Sequence, residues 1–542
     1  MSELMQWKGE TGMNERNIVE SGKTALGIEL GSTRIKAVLS DYEGHVLASG
    51  AYDWENQLIG GIWTYALEDV LEGMKCCYSA LRADVAERYG IRLCTVGVIG
   101  ISAMMHGYIA TDADGNQLAP FQTWRNTNTL DAAARLTELF SYNIPDRWSV
   151  AHLYQRILDG EEHVRSIASV DTLSAWVHRL LTGKHVLGVG DASGMFPIDT
   201  EKKDYNERMV QQFTELIAGY NYPWNLREIF PKVLTAGEDA GCLTEEGAAL
   251  LDPTGTLKPG IPFCPPEGDA GTGMVATNAV APRTGNLSAG TSIFAMIVLE
   301  KQLSRVYREI DMVTTPSGFP VAMSHANNGT SDINAWVELF RSFAELTGHP
   351  VEAGKAFELL YKHSLEGDPD CGGLLAYGYL SGEGITHLEE GRPLFVRRPD
   401  SRFTLANFMK THLYTSFGAV RMGLDLLMKE EGVQIDRLLG HGGMFKTPGA
   451  AQRYLSAAVG APVTVMNTAG EGGAWGIALL AAYRMCREPE ETLEAFLENR
   501  IFQDMSGSTL LADEQEQAGF EKFMENYKNG IAVERTAVDL LW

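Results

Sequence analysis

One acidic side chain in this sequence has the setting of a general base. Asp269 follows Pro265 and Pro266, which hold the backbone extended, and Gly268 turns the chain just before it. A carboxylate presented alone on a tight turn can accept the proton of a nucleophilic hydroxyl. Residues 270–280 predict a short helix, however, and Asp is also a common helix N-cap. Taken alone, Asp269 supports both interpretations.

Two glycine–hydroxyl turns are suited to binding phosphate. Gly31-Ser32-Thr33 joins predicted strands at 25–30 and 35–39, and Gly290-Thr291-Ser292 joins two strands much later in the chain. Backbone N–H groups and hydroxyls gathered in such a turn form a concavity for phosphate oxygens. A single turn of this kind is usually an ordinary hairpin. Its repetition predicts two similar domains that face each other and hold the phosphates of a nucleotide between them.

Two further candidate sites follow predicted strands. Met105 and His106 come directly after the strand 96–102, and ligands of α/β sheets bind beyond the carboxyl ends of strands. Gly442 and Gly443 follow a strand at 438–441, where glycines let the backbone approach a flat ring closely. The alternatives are core packing for Met105, a buried structural histidine at 106, and a tight strand-to-helix turn at the two glycines.

Composition excludes several functional classes. The chain has 542 residues, enough for two or three domains, and a formal net charge of −25, which argues against a nucleic-acid partner. Seven scattered cysteines without a CxxC pair predict reduced thiols rather than disulfides or a zinc site. Residues 1–23 are polar, with no signal-peptide pattern, and no apolar run is long enough to cross a membrane. We therefore expect a cytoplasmic protein without a membrane partner.

Several motifs together resemble the FGGY carbohydrate kinase family of the actin-like ATPase superfamily. GIELGSTRIKAVL is similar to its first phosphate motif, EGDAGTG to its catalytic-aspartate segment and NLSAGTS to its second phosphate motif. The resemblance covers roughly residues 24–485, and SAMMHG, DASGMFPID, GHGGMFKTPGAAQRYLSAAVGAPV and GEGGAWGIALLAA are further matches. These motifs are specific to the family but not to one substrate.

The resemblance implies an α/β fold of two actin-like, ribonuclease H-like domains with a cleft between them. We expect a tail at 1–23, an N-terminal domain at 24–280 and a C-terminal domain at 281–542. It further implies ATP-dependent phosphorylation of a sugar, with Mg²⁺ as cofactor and a homodimer as a further expectation. The residues expected to act are Asp269 as catalytic base; Gly31, Ser32, Thr33, Lys36, Gly290, Thr291, Gly442 and Gly443 toward ATP; Met105, His106, Trp124, Asn126 and Asp269 toward the sugar; and Glu29 toward the metal.

The sequence departs from its relatives at two positions. Many relatives have Trp-x-Asp where this chain has Trp124-Arg125-Asn126, and Asn128 stands where an Arg often follows. An amide can still donate to and accept from sugar hydroxyls, but without charge. Glu29 replaces the Asp that most relatives place beside the metal, so its carboxylate reaches one methylene further.

The residues expected to contact the sugar favour a neutral substrate. Met105-His106 resembles xylulokinases, and His106 and Asn126 both suit an uncharged polyhydroxy chain. We therefore expect a ketopentose, with xylulose ahead of ribulose; another polyol or ketose is the alternative within the family. A sugar-independent actin-fold ATPase is the alternative from another class, because it would use the same two phosphate turns.

Overall fold

The chain forms two compact units. The computed structural model describes residues 15–466, 472–503 and 505–541. The first unit comprises Met1–Val280, Met312–Pro320 and Gly470–Asp504, and the second comprises Ala281–Asp311, Val321–Ala469 and Met505–Trp542. Two segments of the first unit thus lie within the range predicted for the C-terminal domain. Residues 15–21 of the predicted tail form a short N-terminal helix, which is not numbered below. Residues 1–14 lie outside the described residues.

The strands, numbered in chain order, are β1 (Ala25–Leu30), β2 (Arg34–Ser40), β3 (Val46–Asp53), β4 (Gln57–Ile59), β5 (Ile62–Thr64), β6 (Val98–Ala103), β7 (Ile109–Thr111), β8 (Ser169–Asp171), β9 (Val186–Gly188), β10 (Ile198–Asp199), β11 (Asp204–Tyr205), β12 (Lys232–Leu234), β13 (Glu267–Gly268), β14 (Thr284–Ala289), β15 (Ile293–Val298), β16 (Ile310–Thr314), β17 (Pro320–Ala326), β18 (Leu374–Tyr377), β19 (Leu394–Arg397), β20 (Arg437–His441), β21 (Val463–Met466) and β22 (Gly507–Leu510).

The α-helices are α1 (Leu67–Tyr89), α2 (Leu130–Phe140), α3 (Ser149–Leu158), α4 (Leu173–Thr182), α5 (Val189–Ala192), α6 (Glu207–Ile217), α7 (Leu226–Ile229), α8 (Glu245–Leu251), α9 (Asp269–Ala276), α10 (Ser331–Leu346), α11 (Ala353–Ser364), α12 (Leu405–Asp425), α13 (Ala450–Val459), α14 (Gly472–Cys486), α15 (Leu493–Phe496) and α16 (Glu514–Leu540). Short 3₁₀ and π segments extend or join some of them.

A five-stranded sheet organises the first unit. Its order is β13-β6-β1-β2-β3. β13, β6 and β1 run parallel, and β1, β2 and β3 are successively antiparallel. Every residue of β6 is buried, as expected for a central strand with both faces covered. Helix α1 packs on β2 and β3, and α14 packs on β1 and β6.

The second unit repeats this strand pattern. Its seven-stranded sheet has the order β16-β17-β15-β14-β20-β21-β22. β17, β15 and β14 are successively antiparallel, and β14, β20 and β21 run parallel. The repetition inferred from two glycine turns therefore extends over a five-strand pattern in each unit.

One helix begins later than the sequence pattern indicates. Apolar residues recur at helical spacing over 62–88, but Ile62–Thr64 is strand β5 and helix α1 begins at Leu67. Gly60 and Gly61 adopt φ angles of +59° and +83°. Two consecutive left-handed residues form the tight turn of a hairpin, so the chain pairs β4 with β5 before the helix starts.

Two further expectations from the sequence concern membrane-spanning helices and the state of the cysteines. In the described parts of the chain, no helix combines the length and the apolar character that a membrane crossing requires. All seven cysteines lie in the described residues and are free thiols.

Candidate active site

Three turns of the first unit emerge at the same sheet edge. Ala103 pairs with Leu30 on one side and with Gly268 on the other. The Met104 N–H donates to the Leu30 carbonyl over 3.0 Å. The carboxyl ends of β1, β6 and β13 therefore deliver the first glycine turn, the Met-His segment and Asp269 to one place, as is usual for ligand sites of α/β sheets.

Asp269 is the first residue of helix α9 rather than its N-cap, which is Gly268. Its Oδ1 accepts the Met105 N–H over 3.2 Å. The side chain keeps solvent access, but it lies in a recess where surrounding protein removes much of its hydration. This desolvation, together with the negative charge of Glu29 and Asp191, raises the pKa of Asp269 to about 7. Asp269 thus combines an accessible carboxylate with a proton affinity suited to catalysis near neutral pH.

Glu29 lies between a lysine and a helix N-terminus. It pairs across the hairpin with Lys36, and its Oε2 accepts the Ala474 N–H at the start of α14 over 3.2 Å. Burial raises the pKa of Glu29, while Lys36 and the Ala474 N–H act in the opposite direction. A Cβ at Gly473 would lie 2.4 Å from Glu29 Oε1, so only glycine leaves room for the carboxylate there.

Aromatic side chains hold the first glycine turn. Trp54 Nε1–H donates to the Gly31 carbonyl over 2.7 Å, and the Tyr65 hydroxyl donates to the Ser32 carbonyl over 2.6 Å. The two rings stack with centroids 4.3 Å apart. Their bonds satisfy carbonyl groups of the turn, which fixes its conformation without using its N–H groups.

The first turn borders an open cavity. Its volume is ≈ 770 Å³, and it is lined by Thr33, Arg34, Lys36, Asp53, Trp54 and Glu55. Thr33 is exposed and Lys36 partly exposed, so a hydroxyl and an ammonium group face this space. These are the groups expected at a phosphate site, because both can donate hydrogen bonds to phosphate oxygens.

Met105 and His106 form a strained, tightly packed turn. His106 has a φ of +69°, which is unusual for a residue with a side chain, and it is 6% exposed. Its Nδ1 lies 3.2 Å from the Gly194 carbonyl, so Nδ1 carries the proton and Nε2 is the acceptor. Burial, followed by the positive charge of Arg147, lowers the pKa of His106 to about 3, so the ring stays neutral. Met105 is also buried and packs against the Cα of Gly268.

Trp124 and Asn126 differ in what they offer a ligand. Trp124 is 41% exposed, and its Nε1–H donates to Ser32 Oγ over 3.2 Å, which places it beside the first glycine turn. Asn126 is buried, with Nδ2 donating to the carbonyls of Trp63 and Thr123 and Oδ1 accepting the Trp63 N–H. Both amide hydrogens are used by the protein. The predicted direct role of Asn126 in sugar binding therefore disagrees with this geometry, which makes it a support for strand β5.

The second unit brings its own predicted residues together. The Gly290 and Thr291 carbonyls accept the N–H groups of Thr330 and Gly329, over 3.0 and 2.8 Å. Gly442 follows β20, beside β14, and a Cβ there would lie 2.5 Å from the Ala289 carbonyl. Its φ of +101° also favours glycine. Gly443 has open space around its Cα, so the glycine turn and the Gly290-Thr291 turn lie side by side at one sheet edge.

Several contributing residues escaped the sequence interpretation. Gly473 and Ala474, which contact Glu29, had no assigned role within the matching motif GEGGAWGIALLAA, whose Gly470 and Glu471 lie outside the described residues. Glu267 was overlooked, although a carboxylate between proline and glycine in an apolar strand is itself unusual. It is buried together with Asp191 beside the turn that carries Asp269.

The residues around Glu29 fit a nucleotide-bound Mg²⁺. In proteins this ion is commonly held by one or two carboxylates together with substrate phosphates. Glu29 supplies one carboxylate beside a phosphate-type turn. Within the described chain the single cluster of three or more potential ligands is Asp41, Glu43 and His45, which does not include Glu29. A metal held mainly by phosphates and by Glu29 is therefore compatible with the donor set.

Comparison with known proteins agrees with this architecture. Residues 24–276 match the N-terminal domain of the FGGY family of carbohydrate kinases, and residues 285–485 match its C-terminal domain. A xylulose kinase of Lactococcus lactis subsp. lactis (strain IL1403) is 21% identical over 481 residues, covering 84% of this chain and 87% of that protein.

Solved structures show the same fold. A xylulose kinase from Rhodospirillum rubrum superposes with a TM-score of 0.77 at 17% identity, covering 94% of this chain and 98% of that one. A gluconate kinase from Lactobacillus acidophilus reaches 0.75 at 15% identity, with the same coverage of 94% and 98%. The two domain matches together span most of the chain, and it belongs to the FGGY family of carbohydrate kinases.

Proposed function

We propose that this carbohydrate kinase transfers the γ-phosphate of ATP to a hydroxyl of a neutral ketopentose, with Asp269 as the general base. The observation that carries the proposal is the accessible Asp269 carboxylate, whose pKa is raised to about 7. At that value a substantial fraction is ionised at neutral pH, and the ionised form is still basic enough to take a hydroxyl proton.

In this reaction the sugar oxygen attacks the γ-phosphorus while its proton passes to Asp269, and ADP leaves. Phosphoryl transfer depends mainly on positioning and on neutralising charge. Ser32, Thr33 and Thr291 would bind phosphate oxygens by N–H and O–H donors, and Lys36 would add positive charge. Gly31 and Gly290 would shape the two turns, because their own N–H groups donate to the Arg34 and Ser292 carbonyls. Gly442 and Gly443 would border the adenine. Mg²⁺ bound to the phosphates, with Glu29 as its protein ligand, would neutralise further charge.

The sugar face is assigned to Met105, His106 and Trp124. Because Nδ1 of His106 donates to Gly194, its Nε2 is left to accept a hydroxyl hydrogen. Met105 offers an apolar surface, and Trp124 an exposed ring. This combination suits a carbon chain with several hydroxyl groups and no charge.

Xylulose is the preferred substrate, and ribulose is the second candidate. The Met105-His106 pair supports xylulose, as does similarity to relatives named xylulose kinase.

A substrate panel tests this proposal. Sugar-dependent ADP release should be measured with xylulose, ribulose, glycerol and gluconate, and with a blank that contains ATP but no sugar. We expect the highest kcat/KM for xylulose and a blank at least ~10²-fold slower, the scale that separates a positioned reaction from an unpositioned one. Turnover with glycerol or gluconate alone would contradict the ketopentose assignment but not the kinase. A blank equal to the sugar reactions would instead indicate a sugar-independent ATPase.

A further inference from the structure

Two buried acids, Glu267 and Asp191, lie beside the turn that carries Asp269. Glu267 is 1% exposed, and its carboxylate accepts the N–H groups of Gly190 and Asp191 over 3.2 and 2.9 Å. A Cβ at Gly188 or Gly190 would lie 2.2 or 2.4 Å from this carboxylate, so both glycines are needed to accommodate it. Glu267 is therefore an integral part of the protein interior and not a surface residue.

Only one of the two oxygens of the Asp191 carboxylate has hydrogen-bond partners. Oδ2 accepts the hydroxyls of Thr172 and Ser174, whereas the buried Oδ1 has no hydrogen-bond partner. Oδ1 lies 3.1 Å from the position a Cβ would take on Gly268, the residue just before Asp269. No cation of the described chain forms an ion pair with Asp191 or Glu267, and hydroxyls and backbone N–H groups are their partners instead. Burial raises the pKa of Asp191 to about 6, so at neutral pH most of this side chain carries a buried charge that no cation compensates, which is costly.

The same turn also holds the sugar-side histidine. The Asp191 carbonyl accepts the Gly194 N–H over 2.9 Å, and the Gly194 carbonyl accepts His106 Nδ1–H over 3.2 Å. A continuous series of bonds therefore runs from Glu267 through the turn 190–194 to His106. Movement of this turn would affect both the proposed base and the proposed sugar contact.

We propose that Asp191 is a positioning residue for Asp269: held in place by Glu267, it keeps one uncompensated negative charge near the reacting carboxylate. This inference rests on the proposed function, in which Asp269 accepts the hydroxyl proton. The negative charge disfavours ionised Asp269 and so makes it a stronger base. Glu267 itself serves as a neutral anchor, since burial and the charge of Asp191 raise the pKa of Glu267 to about 8.

The other charged groups near Asp269 determine which one can be removed to test the proposal. Glu29 on β1 is the larger negative influence, and Lys36 on β2 faces Glu29 rather than Asp269. His106, after β6, stays neutral across the accessible pH range. From α14, packed on α9, Gly473 and Gly476 approach Thr272 of α9, and neither carries a charge. Asp191 is therefore the charge that can be removed without touching the proposed metal or phosphate residues.

The test is the pH profile of kcat/KM for Asp191→Asn. Asn can still accept the Thr172 and Ser174 hydroxyls through its carbonyl oxygen, but it carries no charge. We expect the acidic limb of the profile to move to lower pH, the direction caused by losing a like charge. An unshifted limb in Asp191→Asn, with only a uniform loss of rate, would overturn the proposal.

A second measurement does not require activity. A carboxyl with a raised folded-state pKa stabilises the fold when protonated, and this stability is lost as the pH rises through about 8 for Glu267. Glu267→Gln cannot ionise, so its melting temperature relative to the parent should increase from pH 6 to pH 9. A constant difference would show that Glu267 is not a neutral acid and would overturn its place in the proposal. This readout remains valid even if no sugar is phosphorylated, and it also applies if Asp191→Asn does not fold.

Discussion

At the scale of single residues, Asp269 is defined by neighbours that come from distant parts of the chain. Its turn and its exposed carboxylate follow from Pro265, Pro266 and Gly268. Its raised pKa depends first on desolvation in the recess and then on the charges of Glu29 and Asp191, which the fold brings close and no local pattern indicates. Sequence could therefore identify the candidate base but not its proton affinity.

The pH dependence of turnover follows from that environment. Because the folded-state pKa of Asp269 is raised to about 7 from 3.8, the protonated and inactive form dominates below that pH. We expect kcat/KM to fall about tenfold per unit as the pH drops below 7, and to level off above it. The check is a profile from pH 5 to 9, at saturating ATP and with a pH-inert coupling assay. An acidic limb centred near 4 would mean that Asp269 titrates as an ordinary surface carboxylate.

Asn126 shows the limit of arguments from residue type. Its amide suits a sugar hydroxyl, and its place in the motif suggested that role. In the fold both of its hydrogens bind carbonyls, of Trp63 and Thr123. Which partner satisfies a polar side chain depends on tertiary packing. The sequence alone could not show that Trp63 of the β4–β5 hairpin would be the hydrogen-bond partner of the Asn126 amide.

At the scale of elements, close contacts of glycines set the position of α14. A Cβ at Gly27 in β1 would lie 2.0 Å from the Ala474 carbonyl, and one at Gly476 would lie 2.1 Å from the Thr272 carbonyl of α9. These contacts bring the start of α14 onto Glu29. More than 400 residues separate this segment from β1 in the sequence, and no local pattern indicates that the two pack together.

Gly476→Ala tests this packing. The added methyl group meets backbone rather than a flexible side chain, so α14 must shift, at a cost of about 1–3 kcal/mol of unfolding free energy. We expect a lower melting temperature and a lower turnover, since Glu29 loses its place. Gly273→Ala, in α9, is the matched control: nothing lies within 4 Å of its added Cβ. That control should stabilise by roughly 0.5–1 kcal/mol, and equal melting temperatures for the two variants would refute the contact.

At the scale of the whole molecule, the fold class was predictable and the domain composition only partly so. The repeated glycine–hydroxyl turns indicated two similar domains, and both units contain the same succession of antiparallel and parallel strands. The return of Met312–Pro320 and Gly470–Asp504 to the first unit was not foreseen. A chain that crosses back leaves no local signal, because no pattern within either segment indicates the unit on which it packs.

The repeated turns predict that both units bind the same nucleotide. Thr33→Val and Thr291→Val each remove one hydroxyl donor without changing side-chain shape. Each should weaken ADP binding roughly 2- to 10-fold, the range for loss of one neutral hydrogen bond. Thr347→Val is the control, because the exposed Thr347 hydroxyl bonds only the Ala344 carbonyl. Calorimetric titration with ADP measures all three variants, and a normal affinity in either turn variant would exclude that turn from the phosphate site.

The central claim is that Asp269 removes the proton of a sugar hydroxyl, and Asp269→Asn tests it most directly. Sugar-dependent ADP release by this variant should be compared with the parent and with Asp131→Asn, an exposed carboxylate in the first turn of α2. We predict a loss of at least ~10²-fold in kcat for Asp269→Asn alone, with ADP affinity and melting temperature close to those of the parent. Sugar phosphorylation by Asp269→Asn at near the parent rate would contradict the account and leave Asp269 as part of the helix start.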